Sequence, residues 1–151
     1  LRLTNTYGPR MRIKDSRQTF LGIWIRNLLQ GKAIQVFGDG KQRRDYNFID
    51  DVIDAIILAA SSDSTAGKAF NLGAPDPLSL EETAKVMCNQ IEDAHYEMIA
   101  FPKDRKAIDV GDFICDYSAF SKSFNWNPKV SFNKGIAKSI NFFRKQLKYY
   151  I

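Results

Sequence analysis

The sequence predicts an α/β fold, and three observations carry that expectation. Short strand-like apolar runs alternate with amphipathic stretches, glycine and proline turn signals separate them, and no internal repeat or low-complexity tract interrupts the order. The 151 residues are 44% hydrophobic, 26% charged and 13% aromatic, the make-up of one unit able to bury a core rather than of a disordered, collagen-like or coiled-coil chain. No apolar run nears the roughly 18 to 20 residues that span a bilayer. No basic start followed by an apolar stretch marks a signal peptide, so the chain reads as soluble and cytoplasmic. Cys88 and Cys115 show neither C-x-x-C spacing nor paired histidines, and they read as reduced core thiols.

The elements follow in order. Leu1-Arg2-Leu3-Thr4-Asn5 is a strand that needs neighbours and begins without Met, so the sequence is expected to be a piece of a larger protein. A basic loop runs through Gly8-Pro9-Arg10 to Ser16. A helix follows from about Gln18 to Gln30, with Phe20, Ile23, Trp24 and Leu28 on a wide apolar face and Gly31 placed for a positive φ at its end. Ile34–Phe37 alternates as a short strand, Gly38-Asp39-Gly40 turns, and Arg44–Ile49 is a second strand with aromatics on one face and charges on the other. Asp50 and Asp51 suit the positive end of a helix dipole and open a helix reaching Ala60. Residues 69–72 form a strand ended by Gly73. Ser79-Leu80-Glu81-Glu82 is a capping box opening a helix to about Ile91. Strands are expected at Tyr96–Phe101 and Phe113–Cys115, with a charged binding loop between Lys103 and Gly111. A last helix from about Phe132 to Leu147 carries Ile136, Ile140 and Phe143 on one stripe, with Gly135 weakening its first turns. No linker splits residues 1–151, which read as a single unit.

Catalytic constellations are scarce. His95 is the one histidine, and no G-x-S-x-G, H-E-x-x-H, Walker or G-x-G-x-x-G pattern is present, so triads, zincins and phosphate loops lack their minimum residues. Asp50, Asp51 and Asp54 have no calcium-loop spacing, and no metal is expected. What remains is arginine beside aromatics. Phe37 and Tyr46 flank the Gly-Asp-Gly turn, and Arg44 stands two residues before Tyr46, on the same face of a strand. A planar ring stacks on a nucleobase and a guanidinium holds a phosphate through paired hydrogen bonds. The same residue types also fit two core rings beside a surface arginine. The net charge of +5, from 22 Lys plus Arg against 17 Asp plus Glu, favours an anionic partner without choosing one.

Two segments narrow the choice. Leu1-Arg2-Leu3-Thr4-Asn5-Thr6-Tyr7-Gly8-Pro9-Arg10, and the run Gly38-Asp39-Gly40-Lys41-Gln42-Arg43-Arg44-Asp45-Tyr46-Asn47-Phe48-Ile49-Asp50-Asp51-Val52, closely resemble the C-terminal half of nucleotide-sugar epimerases and dehydratases of the extended short-chain dehydrogenase/reductase family. Phe70-Asn71-Leu72-Gly73, Asp116-Tyr117-Ser118 and Trp126-Asn127-Pro128 keep the family's later order. The resemblance implies the substrate-binding portion of an NAD(P)-binding Rossmann-fold enzyme, including the last part of its Rossmann sheet. It implies an isomerase or lyase of carbohydrate biosynthesis, acting on a UDP-, CDP-, GDP- or dTDP-linked sugar.

By the same resemblance Asn5 binds the diphosphate-sugar, Phe37 packs on the base with Gln35 beside it on the strand, and Arg44 grips the diphosphate with Tyr46 nearby. Arg105 is a second phosphate-binding arginine and Asp109 a ribose-binding acid, one residue farther apart than in some relatives. Gln18 and Thr19 lie in a loop near the nucleotide sugar, where Arg17-Gln18-Thr19-Phe20 departs from the family's usual entry. The dinucleotide fingerprint and the catalytic Tyr-x-x-x-Lys are absent, so NAD or NADP is expected to be bound mainly by a preceding half. No catalytic residue is expected here, and the sequence alone is expected to be inactive. A homodimer, no nucleic acid and no membrane are the implied partners. Two rival readings stay open, a non-catalytic nucleotide-sugar-binding relative and a basic nucleic-acid-binding domain.

Overall fold

Parallel pairing between strands far apart in the chain sets the frame. A computed structural model describes residues 1–15 and 19–151. In it β1 (Arg2–Leu3) pairs in parallel with β6 (Asn71–Leu72), β2 (Asn5–Tyr7) with β5 (Tyr46–Phe48), and β3 (Ile34–Phe37) with β8 (Tyr96–Ile99). Only β4 (Arg43–Arg44) runs antiparallel among the described pairs, against β7 (Leu78–Ser79). Parallel strands need long crossovers, and helices supply them. α1 (Phe20–Leu29) follows β2, α2 (Ile49–Ala60) joins β5 to β6, and α3 (Leu80–Cys88) joins β7 to β8. α4 (Lys103–Lys106), α5 (Ser118–Phe124) and α6 (Phe132–Gln146) complete the order.

The expected opening strand divides at Thr4. Residues 2 and 3 lie beside β6, while 5 to 7 lie beside β5, and Thr4 marks the change of neighbour. Its hydroxyl lies 2.9 Å from Asp45 Oδ2 and 3.2 Å from the Leu72 carbonyl, and it accepts the Asn47 amide at 2.8 Å. Asn47 also donates to the Leu72 carbonyl at 3.0 Å, and the Ala74 N–H donates to Asp45 Oδ2 at 3.2 Å. The expected alternation of aromatic and charged or polar faces after Arg44 is present, but both faces are covered. Asp45 and Asn47 are both 0% exposed, because a strand covered on both faces buries alternate residues of either kind.

A larger core gathers Tyr7, Trp24, Ile25, Phe48, Met87 and Phe143, and a smaller one gathers Ala55, Leu72, Phe120 and Trp126. The capping box forms as expected: Ser79 Oγ accepts the Glu82 N–H at 3.1 Å, and Glu82 Oε2 accepts the Ser79 N–H at 2.8 Å. Gly31, at φ +69°, ends α1's turn. The α6 stripe is buried. Gly135, expected to weaken that helix, instead lets it close on the strands: a Cβ there would fall on the Tyr7 hydroxyl and 2.7 Å from the Phe48 ring. Asp51 does more than meet a dipole, since it is buried and accepts the N–H groups of Lys129 and Val130, both at 3.0 Å. α5 was not expected; Asp116 accepts the Ser118 N–H at 2.8 Å and opens it, and Asn125 ends it at φ +48°. Of the expected strand 113–115 only a single bridge, Phe113 to Arg44, forms. Cys88 is buried, Cys115 only half-buried, and both are free.

Gly135→Ala is expected to lower stability by about 1–3 kcal/mol through overpacking against Tyr7 and Phe48, read as a lower thermal midpoint; an unchanged midpoint refutes the close approach. Burial raises the Asp45 pKa above its ordinary value, partly countered by the Thr4 and Ala74 hydrogen bonds. The folded state thus holds that proton more tightly than the unfolded one. Stability is expected to fall as pH climbs from the ordinary Asp range to the raised value, then to level. Asp45→Asn keeps an acceptor for both donors and should flatten that fall; denaturation curves of both proteins across pH 3–7 with parallel slopes count against it.

Candidate functional site

β4 is two residues long, and what docks on it builds the site. The segment after α4 returns to β4. Asp112 Oδ1 accepts the Arg43 N–H at 2.7 Å, and the Phe113 N–H donates to the Arg43 carbonyl at 3.0 Å. Those bonds carry the preceding residues over the Arg44 head. Arg44 Nη1 donates to the Arg43 carbonyl at 2.9 Å and to the Gly111 carbonyl, while Nη2 lies 3.7 Å from Asp109 Oδ1. The two side chains are 12% and 25% exposed. An arginine so enclosed is a fork of donors held at a fixed angle, the arrangement that binds a phosphate or carboxylate.

The structure therefore brings Arg44 and Asp109 together. Asn5 lies opposite Tyr46 in register, and its Nδ2 donates to the Asp45 carbonyl at 3.0 Å. Tyr46 lies below the surface at 4% exposed, its hydroxyl 2.9 Å from Thr83 Oγ1 and its ring 4.6 Å from Phe132. It borders a cavity of about 360 Å³ walled by residues 74–76 and 128–133. On β3, Ile34 and Val36 face the core while Gln35 is exposed and Phe37 half-buried on the opposite side. The Phe37 ring lies 5.6 Å from that of Phe101, just beyond β8. Arg105 is on α4 and pairs with its neighbour Asp104 at 3.8 Å. Thr19 is the N-cap of α1 without a side-chain cap bond, and Gln18 lies outside the described residues.

Three participants carried no sequence signal of their own. Gly111 and Asp112 act through backbone docking that only the fold reveals, and Phe101 meets Phe37 across strands of long separation. Asp45 sits inside the motif that pointed to Arg44, and its burial was the missed element. For chemistry, the site offers anion binding and an aromatic pair. Burial pushes the Tyr7 and Tyr46 phenols well above their ordinary range, so neither serves as a base at neutral pH. Among the described residues no group of three or more His, Cys, Asp or Glu side chains could hold a metal ion, and no helix is long and apolar enough to cross a membrane.

Comparison with known proteins agrees with this arrangement. The profile of the NAD dependent epimerase/dehydratase family matches residues 1–73. The chain is 30% identical over 146 residues to UDP-glucuronic acid decarboxylase 1 of Arabidopsis thaliana, across 97% of this chain and 32% of that protein. It is 30% identical over 145 residues to the UDP-glucose 4-epimerase of Mycolicibacterium smegmatis, across 94% of this chain and 44% of that one. The crystal structure of a Thermotoga maritima UDP-glucose 4-epimerase with UDP-glucose superposes with a TM-score of 0.81 at 29% identity, over 97% of this chain and 45% of that one. The chain thus spans less than half the length of the relatives it matches. Its α/β fold, the N-x-Y-G-P and R-D-Y segments now seen on neighbouring strands, and these likenesses support the NAD-dependent epimerase/dehydratase family, whose profile matches the first 73 residues.

Proposed function

We propose that this chain is the nucleotide-sugar-binding part of an NAD(P)-dependent epimerase or dehydratase, and that Arg44 grips the diphosphate of its substrate. The enclosed Arg44 fork carries the proposal. Two carbonyls fix one guanidinium nitrogen, and the other faces a carboxylate where a phosphate oxygen would sit. Asn5, opposite Tyr46, and Arg105, on the neighbouring helical turn, are the further diphosphate-sugar ligands. Asp109 is the acid for the ribose. Phe37 supplies the base-stacking face with Gln35 beside it, and Thr19 and Gln18 border the sugar. Tyr46 supports this group from below through Thr83.

The described residues contain no glycine-rich strand-to-helix turn of the kind that cradles a dinucleotide pyrophosphate. On this reading NAD or NADP, which would supply hydride transfer when bound, is held mainly by residues outside this chain. This chain's share is to bind and to orient. Arginine neutralises the diphosphate, the aromatic face holds the base, and the sugar is left projecting toward the cofactor.

Calorimetric titration of the full-length protein with UDP-, CDP-, GDP- and dTDP-sugars in the presence of NAD tests this. One nucleotide is expected to bind selectively, and Arg44→Ala should weaken it about 10- to 100-fold, the worth of a charged hydrogen-bond pair. Binding indifferent to Arg44→Ala, or none with NAD still bound, rejects the proposal. Phe37→Ala should cost about 1–3 kcal/mol of nucleotide binding through lost stacking while leaving inorganic pyrophosphate affinity unchanged; equal losses on both ligands would remove the base from Phe37.

A further inference from the structure

The guanidinium proposed to hold the ligand already has an anion against it. Both hydrogens of Arg44 Nη1 are taken by chain carbonyls, those of Arg43 and Gly111. Nη2 is left facing the Asp109 carboxylate at 3.7 Å, an ion pair longer than a good hydrogen bond. The partners differ in how firmly the fold holds them. Asp112 and Phe113 tie the end of the segment to the Arg43 backbone. Asp109 has the more exposed side chain of its pair, 25% against 12%, and its neighbours Ile108 and Val110 stand 70% and 69% exposed with no core to anchor them. Gly111 separates the tied end from the loose one at φ +64°, with open space around the position of a Cβ.

We infer that Asp109 is a built-in competitor for the anion position on Arg44, displaced together with residues 107–110 when a diphosphate binds, while the Arg43 and Gly111 carbonyls keep the guanidinium aimed. The inference rests on the reading of Arg44 as the diphosphate ligand. It adds that the ligand replaces a carboxylate rather than water. Other charged residues lie on the neighbouring elements: Arg43 on β4, whose guanidinium donates to the Pro77 carbonyl, Asp112 on the docked segment, and Lys103, Asp104, Arg105 and Lys106 on α4. Among the described residues none of these forms an ion pair with Arg44, whereas Asp109 does. Its release exposes no new buried charge, because Asp109 is already partly exposed: with pyrophosphate it turns to solvent, and with a nucleotide it is freed for the ribose. Every anion bound at Arg44 therefore carries the same penalty, the loss of one partly exposed ion pair.

Inorganic pyrophosphate is the probe, because it has no ribose or base and reads Arg44 alone. In the full-length protein at low ionic strength, Asp109→Asn is expected to tighten pyrophosphate about 2- to 5-fold, the range set by partly exposed ion pairs. Asp112→Asn removes the same charge from the same segment and keeps an acceptor for the Arg43 N–H, so it should leave affinity within experimental error. Hydrogen exchange supplies a second readout. Saturating pyrophosphate should speed exchange at the amides of 108–110 and leave those of Arg43 and Phe113 protected. Unchanged or weaker binding by Asp109→Asn, equal tightening by Asp112→Asn, or no pyrophosphate binding by Asp109→Asn each overturn the inference. Failure of the nucleotide-sugar reading would show elsewhere, as nucleotides binding no better than pyrophosphate while the Asp109→Asn effect persists.

Discussion

A carboxyl group taken wholly out of water is costly unless its oxygens find partners, and Asp45, whose Oδ2 is bonded while its Oδ1 has no hydrogen-bond partner among the described residues, carries part of that cost where the chain most needs a fixed point. The Thr4 hydroxyl and the Ala74 amide converge on its Oδ2, and Asn47 completes the group by bonding Thr4 and the Leu72 carbonyl. Four segments meet there: the end of β1, the start of β5, the end of β6 and the turn beyond it. Because neighbouring side chains alternate along an extended strand, fixing Asp45 inward also fixes its neighbours. Arg44 is directed to the segment that docks on β4, and Tyr46 to the layer formed by Thr83 and Phe132.

The separation of tasks in the site follows from that anchoring. Backbone carbonyls, which cannot be displaced without unmaking the docked segment, determine where the guanidinium lies. Side chains on a looser loop determine what it meets. The buried phenols of Tyr7 and Tyr46 are structural: one donates to the Phe132 carbonyl at 3.3 Å, the other bonds Thr83, and desolvation keeps both neutral. An assembly of this kind is suited to holding a charge in a fixed position. The chain spans less than half the length of the enzymes it matches.

Much of this was legible in the sequence where local chemistry decides the outcome. The Ser79 capping box, the positive φ of Gly31 and the Ile136, Ile140 and Phe143 stripe depend on residues within a few positions of one another, and all formed as read. The failures share a cause. The alternation of Asp45 and Asn47 with the aromatics gave no sign of their burial because their partners, Thr4 and Leu72, lie distant in the chain. Gly135 looked like a helix defect because Tyr7, which needs the space, is on a strand far from it in the chain. Asp51 looked like a dipole partner for want of any sign that residues 129 and 130 would present their amides to it. Family resemblance located Arg44 and Asp109 separately. That they face each other is a property of the docked segment and was written in neither motif.

The long reach of these bonds also bears on how the chain attains its shape. Thr4 and Leu72 are 68 residues apart, and Asp51 and Lys129 are 78 apart, yet each pair closes part of the frame. Loop closure of that length must be met before contact rewards it, which slows folding of topologies rich in distant parallel pairs. A chain emerging from the ribosome at about 5–20 residues per second would therefore hold β1, β2 and β3 without their parallel partners for seconds. During synthesis the strand that later carries Arg44 is available for pairing before β7 and the docked segment exist to cover it.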